Sequence, residues 1–346
     1  MKILFCALFL TPLLAQAAGY QVFVTNERSG EVTVINGTDF SVAATIAVGK
    51  RPRGIHESPD GKTVYVAVSG TPVQGPPQLD AKGNPVKSKQ DDDDDEAADK
   101  AADGIAVVDV ASHKSVTKLH AGSDPEEFAL SKDGKYIYIS NEDVKTASVI
   151  NVASGKVEHI IPVGQEPEGV TVTPDGKLFF VTCEAGGDVF AVDTRSYKVA
   201  SQFKVNGRPR SVGFLSSGAI GFVPSESAGE VNVIDVAKAS VIKTLKLPDG
   251  SRPMRVRVSK DDSKVYFSNG RAGTISVLDG RSYELVGTLK VGPRPWGIGL
   301  SPDGKYLFAA NGPSNDVSVV DLASGQEIKK VKAGASPWGI AIVPVP

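Results

Sequence analysis

The only two tryptophans of the chain, Trp296 and Trp338, each follow a proline, in the tetrapeptides RPWG and SPWG. Arginines crowd the equivalent motif elsewhere, with Arg51, Arg53, Arg208, Arg210, Arg252, Arg255 and Arg294 beside Pro52, Pro209, Pro253 and Pro295. A guanidinium next to an indole can grip a carboxylate with two hydrogen bonds while the aromatic face stacks on the rest of the ligand. These nine residues form the candidate binding set for a small anionic or aromatic ligand. In two other copies the same positions are acidic: Asp124, Glu126 and Glu127, then Glu166 and Glu168. The alternative is therefore pairing across repeat boundaries, Arg53 with Glu126 and Glu168 with Arg210. As surface pairs these would contribute only about 0 to 1 kcal/mol each.

A second constellation is His56, Glu57 and Arg257. In the repeats aligned below, the slot of His56 and Arg257 is otherwise filled by Ala129, Thr171, Gly213, Gly299 and Ala341, and Glu57 stands where other copies are apolar. Polar groups at positions that packing keeps small or apolar can mark a channel site. Such a His, Glu and Arg set would supply a general base and an electrophile. The structural reading is a His-Glu pair satisfied by neighbouring backbone groups and an arginine bound to water. Cys183 stands where other copies carry Asn, and a packed free thiol is expected there. The run Asp91 to Asp95 with Glu96 lacks the alternating ligands and central glycine of a calcium loop. It reads as a solvated charge run, and no metal site is assigned.

What positions these residues is a repeat. Gly-x-x-Pro turns recur as GKRP, GSDP, GQEP, NGRP, GSRP, GPRP and GASP, ending at Pro52, Pro125, Pro167, Pro209, Pro253, Pro295 and Pro337. Six begin with glycine and one with Asn206, so a left-handed backbone is expected at that first residue. Each proline leads into a short apolar stretch and then a hairpin turn such as SPDGK at 58–62 or TPDGK at 173–177. There proline presets one torsion and glycine takes the positive one. A second strand, a third with period-two alternation ending on Asp or Asn, and a fourth complete the unit. Four short strands repeated seven times are the signature of an all-β, seven-bladed propeller.

Residues 20–346 thus read as one propeller. They open on second-strand sequence and end on first-strand sequence, so the C-terminal strand is expected to join the N-terminal blade and remove the free edge. The prolines are 42 or 44 residues apart except for the 73 between Pro52 and Pro125. The excess, at 71–103, is rich in Pro, Gly and charge and is expected to be a disordered acidic insertion over the ring of linkers.

The second strands Phe23-Val24-Thr25-Asn26 and Tyr138-Ile139-Ser140-Asn141, with the SPDGK turns, resemble the YVTN family of β-propellers along essentially the whole propeller. The seven-repeat format with an acidic excursion in the second unit is most similar to the periplasmic propellers associated with pyrroloquinoline quinone (PQQ)-dependent alcohol catabolism. That resemblance implies a non-catalytic binding or scaffold role, with a periplasmic protein partner in an alcohol-oxidation system. Propellers of similar fold also suggest alternatives: a lactonase-like hydrolase using His56, Glu57 and Arg257, or a protein holding a quinone or haem d-type ligand. The residues narrow these. Without a Cys-x-x-Cys-His motif there is no covalent c-type haem. Two tryptophans cannot supply one docking residue per blade, as in quinoprotein dehydrogenases. Of the four histidines only His56 falls on an innermost strand.

The first residues, MKILFCALFLTPLLAQAAGY, combine Lys2, an apolar run broken by Pro12 and an Ala15-Gln16-Ala17 cleavage pattern. They predict a signal peptide over 1–17 and a soluble periplasmic product. One cysteine remains after it, so no intramolecular disulfide can form. No later run approaches a membrane span. With a formal net charge of −2 and no basic stripe, nucleic acid is not an expected partner.

Overall fold

The computed structural model describes residues 19–73, 78–79, 85–86 and 98–345. The expected signal peptide and the run Asp91 to Asp95 lie outside them. Seven four-stranded antiparallel sheets follow one another as blades. The innermost strands of blades two to seven are Ile55–Glu57, Pro125–Leu130, Pro167–Val172, Gly213–Phe214, Pro253–Val258 and Pro295–Leu300. Blade one takes its innermost strand from the far end of the chain. Pro337–Pro344 pairs antiparallel with Tyr20–Asn26, Phe23 opposite Ala341 and Val24 opposite Ile340. The ring is closed as the sequence order requires, and the Tyr20–Asn26 edge is covered by the last strand of the chain.

The core lies between blades. One cluster joins Phe23 and Val34 of blade one to Ile55 and Val66 of blade two, and similar clusters recur around the ring. Both faces of each sheet are covered, so middle strands such as Thr63–Val68 are apolar almost throughout. Outermost strands such as Gln326–Lys332 are mostly exposed and carry lysines that discourage edge pairing.

The repeat's turn chemistry differs from the expectation at one point. The hairpin glycines Gly61, Gly134, Gly176, Gly218 and Gly304 do have positive φ. In the linkers, however, the left-handed residue is the one directly before the proline: Arg51, Asp124, Glu166, Arg252, Arg294 and Ser336, with φ between 44° and 57°. The first glycine has the expected positive φ in two linkers, at Gly49 and Gly250, and in the other four it serves close approach instead. A Cβ on Gly122, Gly292 or Gly334 would collide with the side chain of Asn141, Asn311 or Asn26, the residue that ends the neighbouring second strand. Where that residue is Cys183, Gly164 meets its sulfur in the same way.

Those asparagines and the residue before them are locks. Asn26, Asn141, Asn269 and Asn311 donate from Nδ2 to Thr33, Ser148, Ser276 and Ser318 on the adjoining third strand, at 2.8–2.9 Å. Thr25, Ser140 and Ser268 donate to the carbonyls of Arg53, Glu168 and Trp296 on the next blade, at 2.6–2.8 Å. The side chains that resemble the YVTN motif thus fix the backbone that carries the candidate site.

The insertion is anchored at its return. The Asp103 carboxylate accepts hydrogen bonds from Gly70 N at 2.8 Å and Asp124 N at 3.1 Å. Lys50 pairs with Asp99 at 2.9 Å, and Lys100 with Asp143. Residues 98–103 therefore belong to the propeller, and a two-residue ladder joins Gln78–Leu79 to Pro85–Val86.

Candidate functional site

In five blades the innermost strand starts with its linker proline, and in blades two and five it starts three or four residues later. In blades one, three, four, six and seven the register slips by one residue directly after the proline, as between Pro125, opposite Asn141, and Phe128, opposite Ile139. A bulge of this kind re-aims side chains. The two residues after the proline are the ones freed from the ladder, and they build the linker-face mouth of the channel.

The first of the two is charged or aromatic in six blades: Arg53, Glu126, Glu168, Arg210, Trp296 and Trp338. Both expected pairs form: Arg53 with Glu126, and Arg210 with Glu168 at 2.6 Å. They are not surface pairs, since Glu126 is fully buried and Arg210 is 9% exposed. Each arginine has further partners. Arg53 reaches Glu27 at 2.6 Å; Arg210 reaches Glu226 at 2.7 Å and Glu184; Arg51 reaches Asp124 at 2.6 Å and Glu126 at 3.0 Å; Arg208 meets Glu184. Burial pushes Glu126 up, but Arg53 and Arg51 outweigh it and hold the carboxyl below its ordinary range. Glu168 is held down the same way by Arg210 and Arg53. Glu142 behaves oppositely. Burial, and then Glu126 beside it, push its carboxyl up to about 9, so at neutral pH it is a protonated acid hydrogen-bonded to Glu126.

The second freed residue is small in five blades: Gly54, Gly169, Ser211, Gly297 and Gly339. A Cβ at Gly297 or Gly339 would strike the backbone of Trp338 or Arg53, because the strands converge there. Glu127 and Arg255 break this rule from blades three and six, and they form an ion pair across the channel. Burial raises the Glu127 carboxyl, while Arg255 and His56 more than offset that and keep it ionised. His56 Nε2 lies 2.8 Å from the same carboxylate, and its ring meets Phe128 edge-on at 4.9 Å. Sequence reasoning counted Glu127 only as a linker flank. The glycine column that it interrupts was the signal that could have marked it.

Trp296 and Trp338 stack, with ring centroids 5.7 Å apart and planes 24° apart. Arg53 and Arg255 lie over Trp338, and Arg210 and Arg294 over Trp296. Trp338 is 2% exposed, so it presents no face to solvent, whereas Trp296 is half-buried. Of the acids just after the second strands, Glu27, Glu184 and Glu226 pair with arginines and Glu142 does not, while blades six and seven carry Gly270 and Gly312 there. Arg294 follows Gly270 in the ring, and among the described residues no carboxylate lies within 4.0 Å of it. Burial, helped by Arg210 and Arg271, pulls its guanidinium below the ordinary value, although Glu226 and Glu27 oppose the shift from a distance. Arg252 donates only to the Ser227 carbonyl, at 2.9 Å.

The second constellation does not assemble. His56 turns to Glu127 and not to Glu57, which is exposed, and Arg257 donates to the carbonyl of Val256 at 3.3 Å. A haem-type ligand would need an axial ligand near the channel, where His56 is the histidine on an innermost strand; its Nε2 lies against Glu127, while His113 Nε2 lies 3.0 Å from Gln21. Cys183 is buried, and burial pushes its thiol up to about 12, which makes it inert.

Residues 175–344 match the model of the YNCE-like beta-propeller family, and residues 17–166 that of the choice-of-anchor I domain. No curated protein matches the chain. Among solved structures it is similar to Kuenenia stuttgartiensis hydrazine synthase, at 20% identity and TM-score 0.73, over 88% of this chain and 92% of that one. A provisionally named 6-phosphogluconolactonase from Bacteroides fragilis has 18% identity and TM-score 0.73, over 95% and 99% of the two chains. Dihydro-heme d1 dehydrogenase NirN in complex with DHE has 16% identity and TM-score 0.63, over 90% of this chain and 63% of that one. At these identities the likeness establishes a β-propeller fold.

Proposed function

We propose that this propeller is a non-catalytic binding protein that takes a small anionic ligand with an aromatic body at the linker-face mouth, beside blades six and seven. One observation carries the reading. The acids that follow the second strands in blades one, four and five give way to Gly270 and Gly312 in blades six and seven, and Arg294 has no ion-pair partner among the described residues and lies against a half-buried indole. A ligand carboxylate would replace the missing side-chain acid, and its ring would lie on Trp296. Arg252 and Arg271 add positive charge around it. Arg51, Arg53, Arg208, Arg210 and Arg255 are engaged with protein acids and set the shape of the mouth.

Benzoate and phthalate are suitable probes. Each should raise the melting temperature of the wild type, and the double change of Arg294 and Trp296 to Ala should abolish that rise. An equal rise in the variant would refute a site at this mouth.

The wider role, an exported accessory of PQQ-dependent alcohol oxidation, is supported by the repeat format and the leader-like first residues. Isolation from the native periplasm should then bring down an alcohol-oxidation partner. The lactonase-like alternative predicts lactone turnover that disappears in a folded His56→Ala variant, whereas the binding reading predicts no turnover.

A further inference from the structure

The opposite mouth of the channel is a different environment. Where the innermost strands of blades two, three and four run into their hairpins, a cavity of about 640 Å³ opens, with Pro344 of blade one on its rim. Its volume is that of a small-molecule site. Leu130, Val170, Val172, Pro59 and Pro344 give it an apolar lining.

An inventory of its polar side chains shows a one-sided demand. Ser58 Oγ donates to Asp60 at 2.6 Å, Ser131 Oγ to Asp133 at 2.7 Å, and Thr171 Oγ1 to the Val212 carbonyl at 2.8 Å. Lys132 Nζ donates to the Pro174 carbonyl at 2.6 Å. His56 Nε2 is held 2.8 Å from the Glu127 carboxylate, and the ring forms part of the cavity wall. The Glu57 carboxylate makes no hydrogen bond or ion pair among the described residues. The hydroxyls and Lys132 thus have partners, and the Glu57 carboxylate is the strong acceptor left open.

We propose that this cavity binds a small organic ammonium ion with an apolar body, independently of the linker-face site. The ammonium would donate to the Glu57 carboxylate, and its hydrocarbon part would lie on Leu130, Val170 and Val172 beside the His56 ring.

The test uses the full chain and three probes of one shape: phenethylammonium, 2-phenylethanol and 3-phenylpropanoate. Titration calorimetry should show binding of the ammonium, weaker binding of the alcohol and none of the carboxylate at this site. Glu57→Gln, a surface change that leaves folding intact, should weaken the ammonium about tenfold, the scale of one lost charge-assisted hydrogen bond. In spectra of ¹⁵N-labelled imidazole, the His56 signals should move on addition of phenethylammonium. The Arg294→Ala, Trp296→Ala double variant should bind phenethylammonium as the wild type does, which separates this site from the linker-face mouth. No binding of phenethylammonium, or equal affinity in Glu57→Gln, or a response lost in the linker-face variant, would each overturn the proposal.

Discussion

Glu127 is in contact with both His56 and Arg255 and is almost fully buried, so it ties the wall of one mouth to the ion network of the other. Removing one partner of a buried pair leaves the other charge uncompensated, which costs about 3–5 kcal/mol, whereas replacing both by apolar residues of similar size is near neutral. Glu127→Gln should therefore lower the unfolding free energy by about 3 kcal/mol in urea titration, and a Glu127→Leu, Arg255→Met double variant should recover most of it. Glu142 supplies a pH dependence. Its folded carboxyl is raised from 4.5 to about 9, so between these values the native state binds a proton that the unfolded chain has released. Its contribution is fully favourable below about pH 4.5 and is lost as pH rises through about 9. Denaturation midpoints measured from pH 5 to pH 10 should fall more steeply in the wild type than in Glu142→Gln. A parallel pair of curves would contradict the shared proton.

At the scale of elements, the linker separates two jobs that its sequence merges. In four linkers the first glycine is needed for space, while the residue before proline carries the left-handed backbone angle in six. Gly122→Ala should cost about 2 kcal/mol, since its Cβ would collide with the Asn141 side chain, an overpacking effect. Ser336→Gly, at φ 57°, should change stability by no more than about 0.5 kcal/mol, because relieved strain offsets the added freedom of the unfolded chain. Thermal melts of the two variants decide the assignment. The anchored return at Asp99, Lys100 and Asp103 also sets where the insertion can be cut. Deleting 74–97 should leave the melting temperature within a few degrees, whereas extending the deletion through Asp103 should lower it further, by the hydrogen bonds lost at Gly70 and Asp124.

At the scale of the whole molecule, closure by Pro337–Pro344 makes the first and last residues of the ring interdependent. A chain ending at Ser336 would expose the Tyr20–Asn26 edge and one face of a buried cluster, and it should lose cooperative unfolding and aggregate. Much of this architecture was legible in the sequence. The seven prolines, the hairpin glycines and the period-two strands are local patterns with local physical causes, so they could be read one repeat at a time, and the order of strands at the two ends implied the closure. The Arg53 to Glu126 and Arg210 to Glu168 pairs were also legible, because adjacent repeats place equivalent positions side by side. What tertiary structure alone decided was burial and reach. Only the converging strands make those pairs interior, hide Trp338 while leaving Trp296 half open, and bring Glu127 of blade three onto Arg255 of blade six. Distances across the ring depend on how many blades close it and how tightly they converge, and no single repeat carries that information.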